Sequence, residues 1–487
     1  MAMISLSRIL AHWAHKHPDA PAVTHDNTTL SWAELDRASN RLARAYAALG
    51  VKKNDFVTIA LPNGIEFLVA AFATWKLGAI PQPVSAKLPR FEREQIIALA
   101  NPALVVGLPA GDAASVASLP IGFVPDAGLS DADLPEVSGE FMVATTSGGS
   151  TGRPKLIVSH RPPTWDPDVA FHNFANGRAM LVPGPLYHGA PFLFTRVGLF
   201  NGNHVTVTTR FDAEETLRLI QAHRVDWLYL VPTMMQRIWN LPEATRRRYD
   251  LTSLRTIWHM AAPCPSWLKQ AFIDWLGPDC IWELYSGAES IGISTISGNE
   301  WLAHRGSVGR PSETCEMKIV DEHGATLPVG DVGEVYMRPL EGPGTTYHYV
   351  GATARAIEGG WESLGDMGYV DADGYLYITD RRADMILCGG ANVYPAEVEA
   401  AIDAFPGVRS SAVIGLPHVD LGNAVHAIVD APTNNVTEAA LLAHLRERLV
   451  PYKLPRSIEF VSTPLRDDAG KMRRVALREG RLTLNSQ

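Results

Sequence analysis

Cysteine is scarce in this chain: Cys264, Cys280, Cys315 and Cys388 are the only four in 487 residues. They lie far apart with no CxxC pair, which speaks against a zinc site or a disulfide framework and predicts reduced, partly buried thiols. No apolar run reaches the length of a membrane span. The opening stretch MAMISLSRILAHWAHKHPDA lacks a charged segment followed by an apolar one, so a cytoplasmic protein without a membrane span is expected. Excess positive charge is missing too. A formal charge of -9 and a pI near 6.0 give no support for nucleic acid or an anionic membrane surface as a general partner. Internal repeats of about 20 to 50 residues and low-complexity segments are absent.

What remains is ordinary globular composition, 46% hydrophobic and 20% charged, in a chain longer than one core usually serves. Strand and helix patterns alternate along most of it. Ser31 and Glu34 form a capping box, and Leu35, Ala38, Leu42, Ala45 and Leu49 make the apolar stripe of a helix that Gly50 ends. FVTIA at 56–60 reads as a strand, followed by a helix over 65–77. Asp212 and Glu215 cap a helix to about 223, DWLYLV at 226–231 is a strand, and Pro232 precedes another helix. LRTIWHM at 254–260 and IWEL at 281–284 add buried strands. These are stacked, mainly parallel α/β layers. From about 305 to 380 short strands and glycine turns, such as Asp371-Ala372-Asp373-Gly374, predict a small β-barrel-like subdomain. After it comes a small α+β unit. The fold class is α/β, with an N-terminal domain over 1–382 and a C-terminal domain over 383–487.

Chemistry concentrates in TTSGGSTGRPK, residues 145–155. Gly148, Gly149 and Gly152 let backbone approach a ligand, Ser147, Ser150 and Thr151 offer hydroxyls, and Lys155 supplies a compact positive charge. Those ingredients suit the phosphates of ATP. The preceding FMVATT reads as a buried strand, which places the loop at a strand's carboxyl end, where open α/β sheets hold ligands. The Walker A pattern GxxxxGK followed by Ser or Thr is not met, and Pro154 before Lys155 argues against a helix starting there.

SGGSTGRPK resembles the phosphate loop of the adenylate-forming superfamily of acyl-CoA synthetases, standalone adenylation enzymes and luciferases. Further blocks of that superfamily occur in order: GPLYHGAP (184–191), LYSGAES (284–290), GDMGYVDADGYLYITDRRADMI (365–386), GGANVYPAEVE (389–399) and AGKMRR (469–474). Together they span about 330 residues.

The resemblance implies a mobile C-terminal domain turning about a hinge at Ala383, where relatives often carry Lys or Asp. It implies ATP, Mg²⁺ and CoA as cofactors. Glu289 aligns with the magnesium-binding glutamate, Asp366 with the aspartate that binds the ribose hydroxyls, and Arg381 with an arginine that also reaches the ribose. A salt bridge to Asp380 or Asp384 is the alternative for Arg381. Tyr285, Ser286 and the turn Ala261, Ala262, Pro263 align with the adenine and phosphate contacts, and Lys471 with the swinging catalytic lysine. Gly389 and Gly390 would line a pantetheine channel, and His188 stands at the mouth of the acid's pocket. Trp227, Tyr229, Met234, Trp258, Met260 and Ile291 either wall that pocket or are ordinary core. Two residues depart from the motif block: Ser286 replaces a glycine, and Ala288 replaces a threonine whose hydroxyl meets the α-phosphate, leaving Ser286, Ser290 or loop amides to substitute.

Several blocks most resemble bile acid CoA ligases and related synthetases for alicyclic, steroidal or aryl acids, which implies a bulky apolar acid. Three readings stand: an acid:CoA ligase, an adenylate-forming amide ligase of the coronafacate ligase kind that passes the acyl group to an amino acid, and a catalytically silent nucleotide-binding protein. Ala391, where many CoA ligases read GGEN, keeps the second open, and the presence of both Lys155 and Lys471 speaks against the third. A homodimer is one admissible assembly.

Overall fold

The computed structural model describes residues 3–109, 116–148, 154–169, 176–382, 384–388, 391–432, 435–467 and 471–484. Its centre is a nine-stranded sheet. In spatial order the strands are Arg310–Pro311, Ile293–Ser297, Ile281–Ser286, Thr256–Met260, Trp227–Leu230, Ala179–Val182, His204–Val207, Pro21–His25 and Thr28–Ser31. The six from Ile281–Ser286 to Pro21–His25 run parallel, and antiparallel strands close both edges. A four-stranded sheet of Ile80–Pro83, Phe56–Ile59, Leu104–Val106 and Ala117–Leu119 is parallel throughout.

Between the layers lie helices whose local chemistry sets their ends. Ser31 Oγ accepts the Glu34 amide while the Glu34 carboxylate accepts the Ser31 amide, the reciprocal pair that starts Trp32–Ala48. The buried face of that helix differs from the apolar stripe in the sequence. Leu35, Leu42 and Ala45 are buried, but Leu49 is exposed, and Asp36, Ser39 and Asn40 are buried instead. Asp36 Oδ1 lies 2.6 Å from Lys76 Nζ on the neighbouring helix Ile65–Lys76, Asn40 Nδ2 donates to Asp36 Oδ2 and Ser39 Oγ to the Asp36 carbonyl, so these polar residues are paired where they are buried.

The region after Ser312 folds as a five-stranded antiparallel sheet of Cys315–Val320, Gly333–Pro339, Trp361–Val370, Arg355–Ile357 and Leu376–Arg381. A separate three-stranded antiparallel sheet joins Ala144–Gly148, Pro154–Ser159 and Tyr347–Val350. The strand ahead of the glycine-rich loop therefore belongs to an antiparallel hairpin and not to the parallel layers. It also runs further than the sequence suggests, with Ser147 opposite Lys155 and Gly148 opposite Pro154.

The C-terminal sheet has Ala391–Val393, Ile386–Cys388, Gly422–Asp430, Ser410–His418 and Ser457–Val461, with helices Pro395–Asp403, Glu438–Arg446 and Arg474–Leu484. It has a core of its own around Val398, Ile402, Val425 and Leu441. The molecule thus has a large N-terminal α/β part with parallel sheets and a small C-terminal domain. No helix among the described residues is long and apolar enough to cross a membrane.

One glycine couples the antiparallel sheet to the central one. Gly309 has φ +102° and bridges Leu376, and a Cβ placed there would lie 1.9 Å from the carbonyl oxygen of Thr295. Gly309→Ala is expected to lower unfolding free energy by at least about 2 kcal/mol, from a strained backbone and a steric clash, measured by urea denaturation.

Candidate active site

The carboxyl ends of two adjacent parallel strands form the floor of the site. Thr256–Met260 ends in Ala261, whose φ of +73° is unusual for a residue with a side chain and marks a sharp turn into Ala262 and Pro263. Beneath that turn Lys269 Nζ and Glu283 Oε2, both buried, pair at 2.7 Å. His259 Nε2 lies 3.8 Å from the same carboxylate, but burial and the nearby Lys269 charge push its pKa well below normal, so it stays neutral.

Ile281–Ser286 ends in the second turn. Tyr285 Oη donates to Asp366 Oδ2 at 2.7 Å, which fastens the central sheet to the antiparallel one. Asp366 is buried and stands opposite Arg381 across the strand pair. Asp380 accepts the Ala396 amide, and Asp384 pairs with Arg474. Ser286 Oγ donates to the Gly292 carbonyl at 2.7 Å, so its hydroxyl is turned into its own loop.

Between Gly287 and Ser290 the chain makes a tight turn, closed by the Ser290 amide donating to the Gly287 carbonyl, with Ser290 at φ +52°. This turn aims Glu289 inward. Glu289 is 7% exposed. Its Oε1 accepts from Tyr349 Oη at 2.6 Å and lies 3.4 Å from Lys155 Nζ, which itself sits 3.9 Å from the centre of the Tyr349 ring. Burial and then the Glu289 hydrogen bond push the Tyr349 pKa up, so its proton stays on the phenol. Oε2 of Glu289 has no hydrogen-bond donor among the described residues. An open oxygen on a buried carboxylate residue fits a hard divalent cation.

Tyr349 is a site residue that the sequence analysis missed. It reaches Glu289 because Tyr347–Val350 pairs with Pro154–Ser159, with Tyr349 opposite Ile157. No local motif marks that pairing.

His188 begins the helix Gly189–Phe200, and a Cβ on Gly189 would lie 3.8 Å from that of Ala288, so the helix start abuts the Glu289 turn. Burial, followed by the charge of Lys471, pushes the His188 pKa down to about 3. Its Nε2 is 3.9 Å from Asp467 Oδ2, a contact between a carboxylate and a neutral imidazole. Asp467 and Lys471 close a hairpin on each other, Asp467 N to Lys471 O and Lys471 N to Asp467 Oδ1, both at 2.9 Å. Arg473 Nη1 lies 3.6 Å from Glu92 Oε2. The C-terminal domain therefore presents Lys471 to the same cleft as His188, Glu289 and Lys155.

Not every sequence candidate meets there. Gly149, Ser150, Thr151, Gly152, Ala383, Gly389 and Gly390 lie outside the described residues, and Ser147, Gly148 and Arg381 are placed by their strands alone. Trp227, Tyr229, Met234, Trp258 and Met260 are buried members of the large core, and Ile291 belongs to the core under the antiparallel sheet.

Acid stability tests the state of His188. Its ordinary pKa of 6.5 is depressed in the fold. The folded state therefore binds fewer protons than the unfolded one, and stability is lost as pH falls from 6.5 toward 3. His188→Gln should lose less stability over that window than the parent, read from urea midpoints at a series of pH values.

Comparison with known proteins agrees with this geometry. Residues 10–350 match the AMP-binding enzyme family and residues 397–471 the AMP-binding enzyme C-terminal domain. A feruloyl-CoA synthase of Amycolatopsis sp is 33% identical over 475 residues, covering 94% of this chain and 95% of that protein. The o-succinylbenzoate CoA synthetase of Bacillus subtilis, solved with its acyl-adenylate intermediate, shares the fold with a TM-score of 0.83 at 24% identity, covering 98% of this chain and 99% of that one. The amide bond synthetase of Marinactinospora thermotolerans superposes with a TM-score of 0.81 at 26% identity, over 98% of this chain and 99% of its own. Two lysines and a buried glutamate gathered at the junction of these sheets, on a chain matched along nearly its whole length, place this protein in the adenylate-forming, AMP-forming acid–CoA ligase family.

Proposed function

We propose that this enzyme activates a bulky apolar carboxylic acid as its acyl adenylate and then transfers the acyl group to CoA. The observation that carries the reading is the convergence of Lys471 from the C-terminal domain and Lys155 from the glycine-rich hairpin on one cleft beside His188 and Glu289.

A carboxylate is a poor acyl donor because oxide is a poor leaving group. In the first step an oxygen of the acid attacks the α-phosphorus of ATP, the bond to the bridging oxygen breaks, and pyrophosphate leaves with that electron pair. Repulsion among negative charges is the obstacle, and preplaced cations are the remedy. Lys155 would hold the outer phosphates, together with Ser147, Ser150, Thr151 and the amides of Gly148, Gly149 and Gly152. Lys471 would sit between the acid's carboxylate and the α-phosphate. Glu289 would hold magnesium through its open Oε2, and that ion would neutralise phosphate charge. Asp366, braced by Tyr285, would accept both ribose hydroxyls with Arg381 beside it, while the adenine lies against Tyr285 and the 261–263 turn.

In the second step the C-terminal domain, 383–487, would turn about Ala383 and bring Gly389 and Gly390 to the cleft. The CoA thiolate attacks the acyl carbonyl, the bond to AMP breaks, and AMP leaves. His188, neutral at working pH, places no positive charge at the acid's entrance. That favours an apolar acyl group over a second carboxylate, and the feruloyl-CoA synthase name fits an aryl acid of that kind.

A second reading has its own support. Ala391 removes the carboxylate that many CoA ligases carry in that loop, and an amide bond synthetase shares the fold at 26% identity. Incubation with ATP, Mg²⁺ and a panel of aryl, alicyclic, steroidal and fatty acids, with CoA in one arm and mixed amino acids in the other, separates the two by product mass. Thioesters in the first arm are expected. Amides alone would overturn the CoA reading, and an absence of acid-dependent pyrophosphate release would overturn both.

Lys471→Ala should slow acid-dependent pyrophosphate release by about 100-fold or more, the scale of losing one preorganised electrostatic contact. Thioester formation from a supplied acyl adenylate should stay near that of the parent. Equal loss in both half-reactions would remove Lys471 from the adenylation step.

A further inference from the structure

The hairpin that carries Lys471 has two stems, and both end on the same buried carboxylate. Arg466 and Met472 face each other across the hairpin as a β-bridge. From one stem Arg466 Nη2 reaches Glu399 Oε2 at 3.4 Å. From the other, Arg474 Nη2 lies 2.7 Å from Glu399 Oε2 and 2.9 Å from Oε1, and its Nε 3.2 Å from Oε1. Glu399 is 4% exposed on the helix Pro395–Asp403, and its Oε1 also accepts the Val413 amide at 2.8 Å. The remaining arm of Arg474 donates from Nη1 to Asp384 Oδ2 at 2.7 Å. Asp384 directly follows Ala383, so the network runs from the hinge side of the domain, through one helix, to the lysine hairpin.

We propose that Glu399 is a positioning residue for adenylation: by gripping Arg466 and Arg474 it holds the Lys471 hairpin and, through Arg474 and Asp384, ties it rigidly to the hinge. This rests on the reading of Lys471 as the lysine of the first step.

The arrangement supplies what such a lysine needs. A Lys side chain is a flexible stem ending in a point charge, and a displacement of about 1 Å from productive geometry is enough to cost catalysis heavily. Asp467 N donates to Lys471 O and Lys471 N to Asp467 Oδ1, and Leu465 and Met472 pack on the core of Ala412, Ile414 and Ile428; the arginine pairs add a charged anchor to each stem. A bidentate arginine on a buried carboxylate adds direction as well as strength. Burial alone would lower the Arg474 pKa, yet Glu399 and Asp384 raise it, so this guanidinium is charged at every working pH. Ala383 brings no charge of its own to the hinge, and the Asp384–Arg474 pair places charge directly after it. Because Glu399, Arg466, Arg474 and Asp384 all lie after Ala383, the network should survive domain rotation intact and carry the hairpin away as one body.

Two half-reactions separate this role from plain support of the fold. In Glu399→Gln the amide oxygen still accepts from Val413 while the charge that binds both arginines is gone. Acid-dependent pyrophosphate release should fall about tenfold or more in kcat with the KM for ATP changed less than about threefold, and thioester formation from supplied acyl adenylate should stay within about twofold. Arg474→Lys, which keeps the charge but not the fork, should fall between parent and Glu399→Gln. Parallel loss in both half-reactions, or no loss in either with an unchanged thermal midpoint, would overturn the proposal. If Glu399→Gln does not fold, Arg466→Gln decides by the same split, since it removes one of the two pairs that Glu399 makes with the hairpin and leaves the Arg474 fork in place. The parent and Lys471→Ala run alongside. Failure of the parent to release pyrophosphate would refute the ligase reading itself, whereas a normal parent, a slow Lys471→Ala and a normal Glu399→Gln would refute the positioning role alone.

Discussion

Concentrated charge that must stay buried until its counter-charge arrives is the constraint on which the rest of this structure depends. An enzyme that handles a polyphosphate needs cations in place beforehand, and an unpaired buried cation is costly. Lys155 meets both demands by sharing Glu289 and the face of Tyr349. Tyr349 supplies a hydrogen bond to the carboxylate and a negative ring face to the ammonium, so the pair is held without being fully neutralised. The same solution recurs one layer below, where Lys269 and Glu283 lie under the 261–263 turn, and again in the C-terminal domain, where Glu399 serves two arginines.

Those pairs sit where sheets meet, which explains why the site requires so many separate strands. The parallel sheet offers only turns at its strand ends, with Ala261 and Ser290 bent into left-handed backbone. Asp366 comes from the five-stranded sheet and is tied in through Tyr285; Lys155 and Tyr349 come from the three-stranded one. The C-terminal domain provides the last wall. With Lys471 close enough to depress the His188 pKa, and Arg473 opposite Glu92, the C-terminal domain faces the cleft of the N-terminal part.

Much of the local structure was legible in the sequence because its causes are local. The Ser31–Glu34 box, the Asp212 cap and the Asp371–Gly374 turn depend on residues three or four apart. Readings that failed did so where a distant partner intervened. The burial of Asp36 beside the apolar stripe depends on Lys76 from another helix, and FMVATT looked like a strand of the parallel layers because hydrophobicity does not say which sheet a strand joins.

By itself the sequence determined the alternation of strands and helices, the order of the motif blocks and hence the family, since these rest on residue type and spacing. Tertiary structure alone decided which motif residues share a cleft, that Tyr349 joins Lys155 and Glu289, that His188 is neutral, and that Glu399 holds both stems of the lysine hairpin. The physical reason is range. Propensities and turn chemistry act over a few residues of chain, whereas burial, ion pairing and pKa depend on which groups are close in space, and only the completed packing of the sheets sets that.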